Sequence, residues 1–183
     1  MAILTTEKVT EDSGDQTLAE AFLNGDEFAF VWLMERYKNE VSRYAWRITW
    51  EAAAADHVVL ETFARLHKGG LKRGDVFKTA LFSLTHRLSL RALKDEATQE
   101  KMPAFGGAAG SPDGMSSRNR EGMRLEIALG GVPVGHRAML LLYYAHRLSP
   151  EEASRVLEVR PQQFRRQLAY ARRLLRDGLR MEL

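Results

Sequence analysis

Gln and Arg side chains recur along one face of the segment that follows Pro161. At 100° per residue the opposite face is apolar, formed by Phe164, Leu168, Ala171 and Leu175. In a DNA major groove Arg pairs with guanine and Gln with adenine, and further Arg side chains hold phosphates. The side chains with this chemistry are Arg160, Gln162, Gln163, Arg165, Arg166 and Arg173. The pattern predicts a helix that reads duplex DNA; the alternative is a solvated face whose arginines only keep the helix soluble.

A second basic stripe lies in the middle of the chain. Its members are Lys78, Arg87, Arg91 and Lys94, and Phe82 lies beside them. Basic side chains interleaved with aromatic ones can hold unpaired bases. The alternative is that this helix is covered on two sides and offers no aromatic surface.

The search for catalytic groups gives little. The five histidines show no metal-ligand spacing, no phosphate-binding glycine loop or nucleophile motif is present, and cysteine is absent. Asp56, His57 and Glu61 could be drawn as a metal or acid/base group, but a partly exposed helix surface accounts for them. We therefore expect a protein that is not an enzyme and has neither a cofactor nor a metal.

Composition and charge narrow the class further. The 183 residues are 45% hydrophobic and 28% charged, a globular balance, and the apolar runs are too short for a membrane span. With no secretory signal at the start, we expect a cytoplasmic protein without membrane insertion. Residues 1–62 carry 5 basic and 12 acidic side chains, residues 63–132 carry 12 and 7, and residues 133–183 carry 10 and 5. This asymmetry indicates two different partners, with nucleic acid the usual partner of the basic part.

The elements that position these side chains are predicted to be helices throughout. Thr17–Glu20 is a possible capping box for a short helix that ends near Asn24-Gly25. Amphipathic spacing then predicts helices over about 26–50, 52–67 and 76–96. Gly69-Gly70 is expected to end the helix over 52–67. These four helices can form one small bundle.

The second half has its own helical pattern after a break in periodicity. Residues 97–121 are rich in Gly, Ser, Pro and Ala and are predicted to be a flexible linker. Further helices are expected around 124–129 and 135–145. Ser149-Pro150-Glu151-Glu152 then starts a helix that runs to about Leu157, and Pro161 opens the last one. The short turn between the final two predicts a helix-turn-helix.

The order of these segments resembles the extracytoplasmic-function (ECF) sigma factors, specificity subunits of bacterial RNA polymerase. The resemblance covers about 17–95 and 132–179. Residues 55–66, ADHVVLETFARL, look like the helix that binds the polymerase clamp, and residues 77–82 look like the segment that leads into minus-ten recognition. Residues 135–176 look like the minus-thirty-five-binding domain.

The resemblance implies an all-α fold of two small helical domains. These are a four-helix sigma2-like bundle over 15–96 and a sigma4-like helix-turn-helix domain over 122–183, joined by the linker at 97–121. The resemblance implies that Asp56, His57, Leu60 and Glu61 bind the clamp of the beta-prime subunit of the polymerase. It implies that Lys78, Phe82, Arg87, Arg91 and Lys94 bind the minus-ten element. The minus-thirty-five element would be bound by Arg160, Gln162, Gln163, Arg165, Arg166 and Arg173.

Several positions depart from the family pattern. Ala54, His57 and Leu60 replace acidic or amide residues of the clamp segment, and Ala80, Arg87 and Arg91 replace Trp, Asn and Asp of the minus-ten segment. Glu158 stands where the helix-turn-helix usually has glycine. These departures mark a divergent member.

Two functions therefore remain open. The first is a sigma factor that binds core RNA polymerase and promoter DNA and starts transcription. The second is a sigma-derived DNA-binding regulator or interaction protein that no longer initiates. An anti-sigma factor that covers the polymerase-binding surface is a further possible partner, which the apolar residues Val58, Val59 and Leu60 would suit.

Overall fold

The computed structural model describes residues 9–97 and 117–181, and every regular element in these two ranges is a helix. This confirms the all-α prediction. No helix within the described ranges is both long and apolar enough to cross a membrane.

Four helices form the first half. They are α1 (Asp15–Leu23), α2 (Glu27–Thr49), α3 (Ala52–Arg65) and α4 (Phe77–Ala97), and α3 is followed by a turn at Leu66–Gly70 in which Lys68 and Gly69 leave the helical conformation. The long α2 packs against each of the other three. Its buried positions follow the predicted three- and four-residue spacing, including Phe30, Leu33, Tyr37, Val41 and Tyr44. The apolar stripe thus faces the centre of the bundle.

The start of α1 differs from the prediction. The helix begins at Asp15 with Gly14 as N-cap and no side-chain cap, so the Thr17–Glu20 capping box is wrong. The cause is a contact with α2. The Asp15 carboxylate accepts a hydrogen bond from Arg36 at 2.5 Å and another from the Tyr37 hydroxyl, and α1 begins three residues before the predicted start.

Glycine ends α3 as predicted. Gly69 has a φ of +98°, a conformation that L side chains rarely adopt. A Cβ on Gly70 would lie 2.6 Å from the carbonyl oxygen of Arg65, so no other residue fits without a shift. These two glycines turn the chain away from α3 and toward the start of α4.

Four further helices form the second half: α5 (Ser117–Gly130), α6 (Val134–Leu140), α7 (Pro150–Val156) and α8 (Pro161–Met181). A π-helical turn at Leu141–Ala145 continues α6. The predicted linker is too long at both ends, because residue 97 belongs to α4 and α5 already begins at Ser117; its central part, 98–116, lies outside the described residues. Packing of α5 on α8, where Ala128 lies against Gly178, supports helix in a stretch of weak local propensity.

The start of α7 shows the predicted capping box. The Ser149 hydroxyl accepts from the Glu152 backbone N–H at 3.2 Å, and the Glu152 carboxylate accepts from the Ser149 N–H at 2.8 Å. The backbone hydrogen bond from Ser149 is the main cause of the lowered pKa of Glu152.

Removing this cap has a measurable cost. Ser149→Ala leaves one N–H of the first turn without its acceptor, and we expect the free energy of unfolding to fall by about 1 kcal/mol. Urea denaturation followed by circular dichroism measures the change. An unaltered midpoint would mean that the cap contributes nothing to α7.

A tight turn joins α7 to α8, as predicted for a helix-turn-helix. The Val159 N–H donates to the Ser154 carbonyl at 3.0 Å and the Glu158 N–H donates to the Arg155 carbonyl at 3.2 Å, a Schellman motif. This motif needs a left-handed residue, and Glu158 has a φ of +54°. Glutamate therefore adopts the backbone conformation for which the resembled family uses glycine.

The two halves are in contact, with α4 packed against α7. His146, at the end of the π-helical turn, is 3% exposed and lies between two rings of the first half, 4.5 Å from Phe82 and 5.6 Å from Tyr44 between centroids. Its Nδ1 donates to the Glu40 carboxylate at 3.2 Å. The second half thus inserts an imidazole into the first.

Arg137 makes a second contact between the halves. Arg137 as a whole is 6% exposed, and its guanidinium donates to the Ile48 carbonyl at 3.2 Å and lies 5.2 Å from the centroid of the Trp50 ring. Burial lowers the pKa of Arg137 from its usual value. An ion pair between Arg47 of α2 and Glu126 of α5, at 2.5 Å, also joins the two halves.

Candidate nucleic-acid interface

The exposed residues at the start of α8 form one concave surface. Arg160, Gln162, Gln163 and Arg166 line it, and we call these four residues the reading face. On the opposite side Phe164, Leu168 and Ala171 are buried and Leu175 is half-buried, as the helical spacing predicted. The helix N-terminus and its four donor-rich side chains therefore face solvent together.

The other two predicted residues of α8 have different surroundings. Arg165 is exposed but pairs with Glu151 of α7 at 2.5 Å, so its guanidinium is directed toward the neighbouring helix. Arg173 is exposed two turns farther along the helix. A role in holding phosphate suits Arg173 better than base readout, because it lies outside the concave surface.

Sequence reasoning missed two residues of this surface. Gln167 and Tyr170 also line it, and the Tyr170 ring lies 5.3 Å from the His136 ring of α6. Helical spacing was the available signal, since Gln167 follows Gln163 and Tyr170 follows Arg166 by four residues.

The predicted minus-ten residues divide into two groups. Arg87, Arg91 and Lys94 are exposed on α4, and Lys78 lies 5.7 Å from the Tyr37 ring. Phe82 is 0% exposed and packs against Tyr44 and His146. Of the two alternatives, α4 is covered on two sides, and Phe82 offers no surface to a base in this arrangement.

The predicted polymerase-binding residues lie along α3. Leu60 is 72% exposed, Asp56 and His57 are exposed, and Val58 is buried in the bundle. Glu61 is partly covered, with His57 at 3.5 Å on one side and Arg65 paired on the other. The surface is thus an exposed leucine ringed by charges.

Metal binding has no candidate in the described part of the chain. No group of three or more His, Asp or Glu side chains in residues 9–97 and 117–181 is arranged to hold an ion.

Comparison with known proteins gives matches at the level of structure. Neither a protein-family model nor a curated protein matches the sequence. The structure of CnrH in complex with the cytosolic domain of CnrY matches with a TM-score of 0.69 and 21% identity, over 92% of this chain and 99% of that one. The sigma factor RpoE from Bartonella quintana, in complex with the anti-sigma factor NepR, matches with a TM-score of 0.65 and 14% identity, over 84% of this chain and 98% of that one. The chain therefore has, along nearly its whole length, the fold of a sigma factor.

Proposed function

We propose that this chain is an ECF-type sigma factor, which directs core RNA polymerase to specific promoters and takes part in initiation. The observation that carries the proposal is the match to the sigma factor fold along both halves, together with a solvent-facing set of Gln and Arg at the start of α8. The chain itself would catalyse no reaction in this role. It would supply promoter specificity to the polymerase.

The reading face is the proposed contact with minus-thirty-five duplex. Its Arg and Gln side chains have the donor and acceptor pattern that base edges in the major groove require. The rigid α7–α8 turn holds the helix N-terminus outward, so the first residues of α8 can enter a groove.

Two substitutions on α8 separate base reading from phosphate contact. Arg166→Ala is expected to cost about 1–3 kcal/mol on the preferred sequence and to relax specificity at one base pair. Arg173→Ala is expected to weaken all sequences alike and to reduce the salt slope of log K by about one unit. Binding of duplex variants at several salt concentrations measures both effects. Equal losses for both variants on every sequence would contradict the assignment of the reading face.

The proposed minus-ten contact lies on the exposed side of α4. Arg87, Arg91 and Lys94 add positive charge there, where a melted strand needs stacking and phosphate contacts. Phe82 could take part only after His146 has moved away from it, because its ring is buried between Tyr44 and His146.

Core polymerase binding tests the proposal directly. The purified chain is expected to co-elute with bacterial core RNA polymerase and, with it, to open promoter DNA in a permanganate footprint. Absence of a complex at micromolar concentration, with the chain folded, would refute the proposal.

A second candidate is a DNA-binding regulator that does not initiate transcription. The buried Phe82 and the packing of α7 on α4 favour it, because they cover part of the surface that strand capture would use. It predicts sequence-specific duplex binding through the reading face without promoter opening. Opening in the presence of polymerase would exclude it.

An anti-sigma protein is a further proposed partner. The solved structures that share this fold are complexes, one with the cytosolic domain of CnrY and one with the anti-sigma factor NepR. On this chain the exposed Leu60 and half-buried Val59 of α3 could serve such a contact, whereas Val58 belongs to the core. Immobilised chain should then capture a non-polymerase protein in competition with core polymerase, and capture of polymerase subunits alone would argue against a dedicated inhibitor.

A further inference from the structure

The backbone on both sides of His146 departs from ordinary helix geometry. The π-helical turn at Leu141–Ala145 includes a hydrogen bond from the His146 N–H to the Leu141 carbonyl at 3.0 Å, and the next residue, Arg147, has a φ of +55°. Single π-helical turns and left-handed residues other than glycine are both unfavourable, and both are concentrated at functional sites. Here they set the direction in which the imidazole of His146 leaves the second half and enters the first.

The buried imidazole has hydrogen-bonding room for one proton. Its Nδ1 donates to the Glu40 carboxylate at 3.2 Å, whereas its Nε2 is buried without a hydrogen-bond partner among the described residues. A second proton would place an N–H donor at Nε2 with no acceptor and a charge on a side chain that is 3% exposed. Burying an unpaired donor and a charge is costly, so the packed arrangement favours the neutral ring.

The charged groups around this imidazole come from three helices. Glu40 of α2 raises the pKa of His146, whereas Arg47 of α2 and Lys78 of α4 lower it. From α7 the nearby acid is Glu152, which already accepts hydrogen bonds from the N–H and hydroxyl of Ser149 and also interacts with Lys78. The attraction of Glu40 is therefore opposed by burial, which is the largest effect, and by two cations.

A second buried imidazole belongs to the first half alone. His86 of α4 is 9% exposed, and its Nδ1 lies 2.8 Å from the Tyr44 hydroxyl. Burial lowers its pKa to about 4, so it stays neutral at the same pH and adds no charge beside His146. A proton on His86 acts within the first half, whereas a proton on His146 acts between the halves.

From this geometry we infer that the contact between the halves is a pH-sensitive switch, in which protonation of His146 separates the second half from the first while both keep their helices. Separation returns the imidazole to water, where its charge is hydrated and both N–H groups find acceptors. It also uncovers the ring of Phe82, which His146 covers in the packed chain. The inference concerns the free chain and does not depend on the proposed function.

The size of the effect follows from proton linkage. Burial lowers the pKa of His146 from 6.5 to about 4, so the separated form takes up the proton near pH 6.5 and the packed form only near pH 4. The packed form is therefore lost as the pH falls below 6.5. The ratio of separated to packed molecules should rise about twentyfold between pH 7 and 5, which would turn about 5% separated molecules into about half.

Single-molecule fluorescence energy transfer between the halves tests the inference without polymerase or promoter. The chain has no cysteine, so the exposed positions Thr17→Cys in α1 and Asp177→Cys in α8 place one dye on each half. We expect a second population to grow about twentyfold in its ratio to the first between pH 7 and 5, while the helix signal in circular dichroism stays level. A distribution that stays unchanged until the helix signal is lost would overturn the inference.

A variant that cannot titrate assigns the effect to His146. His146→Phe keeps a ring between Phe82 and Tyr44, and its distribution at pH 5 should equal that at pH 7. The matched control is His136→Asn, which removes another imidazole of the second half, one whose ring lies against Tyr170 of α8; it should open like the unaltered chain. The same opening in His146→Phe would overturn the inference.

Two variants of equal side-chain length separate charge from shape. His146→Lys introduces a charge that is present at pH 7, whereas His146→Met introduces a neutral chain of similar size. At pH 7 the separated population should be at least tenfold larger in His146→Lys than in His146→Met, with the helix signal retained in both. Equal populations would show that charge at this position does not control the contact and would count against the inference. Loss of the helix signal in His146→Lys would show that the halves do not survive the charge and would also contradict it.

Discussion

Acidification from pH 7 to about 4 should destabilise the folded chain by several kcal/mol. His86 and His146 are both buried, and burial lowers the pKa of each imidazole from 6.5 to about 4. His146 also donates to Glu40, which opposes the shift, while the nearby Lys78 and Arg47 charges reinforce it. Both side chains are therefore neutral in the folded chain at neutral pH.

The direction of the effect follows from where the protons bind. In the unfolded chain each imidazole takes up a proton as the pH falls below about 6.5, whereas the folded chain takes it up only near pH 4. Between these values the unfolded state binds more protons, so stability falls with pH by about 1.4 kcal/mol per unit for each histidine. Each contributes a loss of about 3 kcal/mol over the window, and the loss from these two groups is complete below pH 4.

Urea denaturation at intervals between pH 7 and 4 measures this slope. His146→Phe keeps a ring between Tyr44 and Phe82 but cannot titrate, so the loss of stability should be about half as steep. His57→Asn, which removes an exposed imidazole from α3, is the matched control and should change the slope less. A slope in His146→Phe equal to that of the unaltered chain would show that His146 has the same pKa in the folded and unfolded states.

The second large effect is expected at Leu60. This side chain is 72% exposed on α3, so the fold gains little from it. If it is buried against the polymerase clamp, Leu60→Ala removes apolar contact worth about 2 kcal/mol and weakens polymerase binding about thirtyfold. Alanine is a good helix former, so α3 should persist.

Competition with a labelled sigma subunit for core polymerase measures the loss. Tyr144→Ala is the control because it truncates another exposed large side chain, on the second half of the molecule. Equal affinity for Leu60→Ala and the unaltered chain would remove α3 from the polymerase interface and strengthen the regulator alternative.

Helical periodicity was sufficient to predict most elements of the fold. The spacing of apolar residues predicted α2 and α4 nearly to the residue, and Ser149 with Glu152 marked the start of α7. These signals work because they act within one or two turns, where sequence neighbours are also spatial neighbours. The start of α1 failed for the opposite reason, since Asp15 is fixed by Arg36, which lies 21 residues away.

The contact between the halves could not be predicted from the sequence. His146 and Glu40 are 106 residues apart, and Arg137 reaches a backbone carbonyl 89 residues away. No local pattern encodes such a pair, and histidine and arginine are usually exposed. The same long-range packing buries Phe82, which the sequence pattern of α4 left free to be either core or surface.

The packing of α4 on α7, called the seam here, weakens the apparent affinity of any partner that fits only the separated halves. Such a partner selects a minor conformation, and its apparent dissociation constant is the intrinsic one divided by the fraction of molecules in that conformation. With about 1% of molecules separated, the observed affinity would be about a hundredfold weaker than the contacts alone provide. A partner that first binds the exposed α3 surface would not lose affinity in this way, because that surface is accessible while the halves are packed. Its binding could supply the free energy that opens the seam.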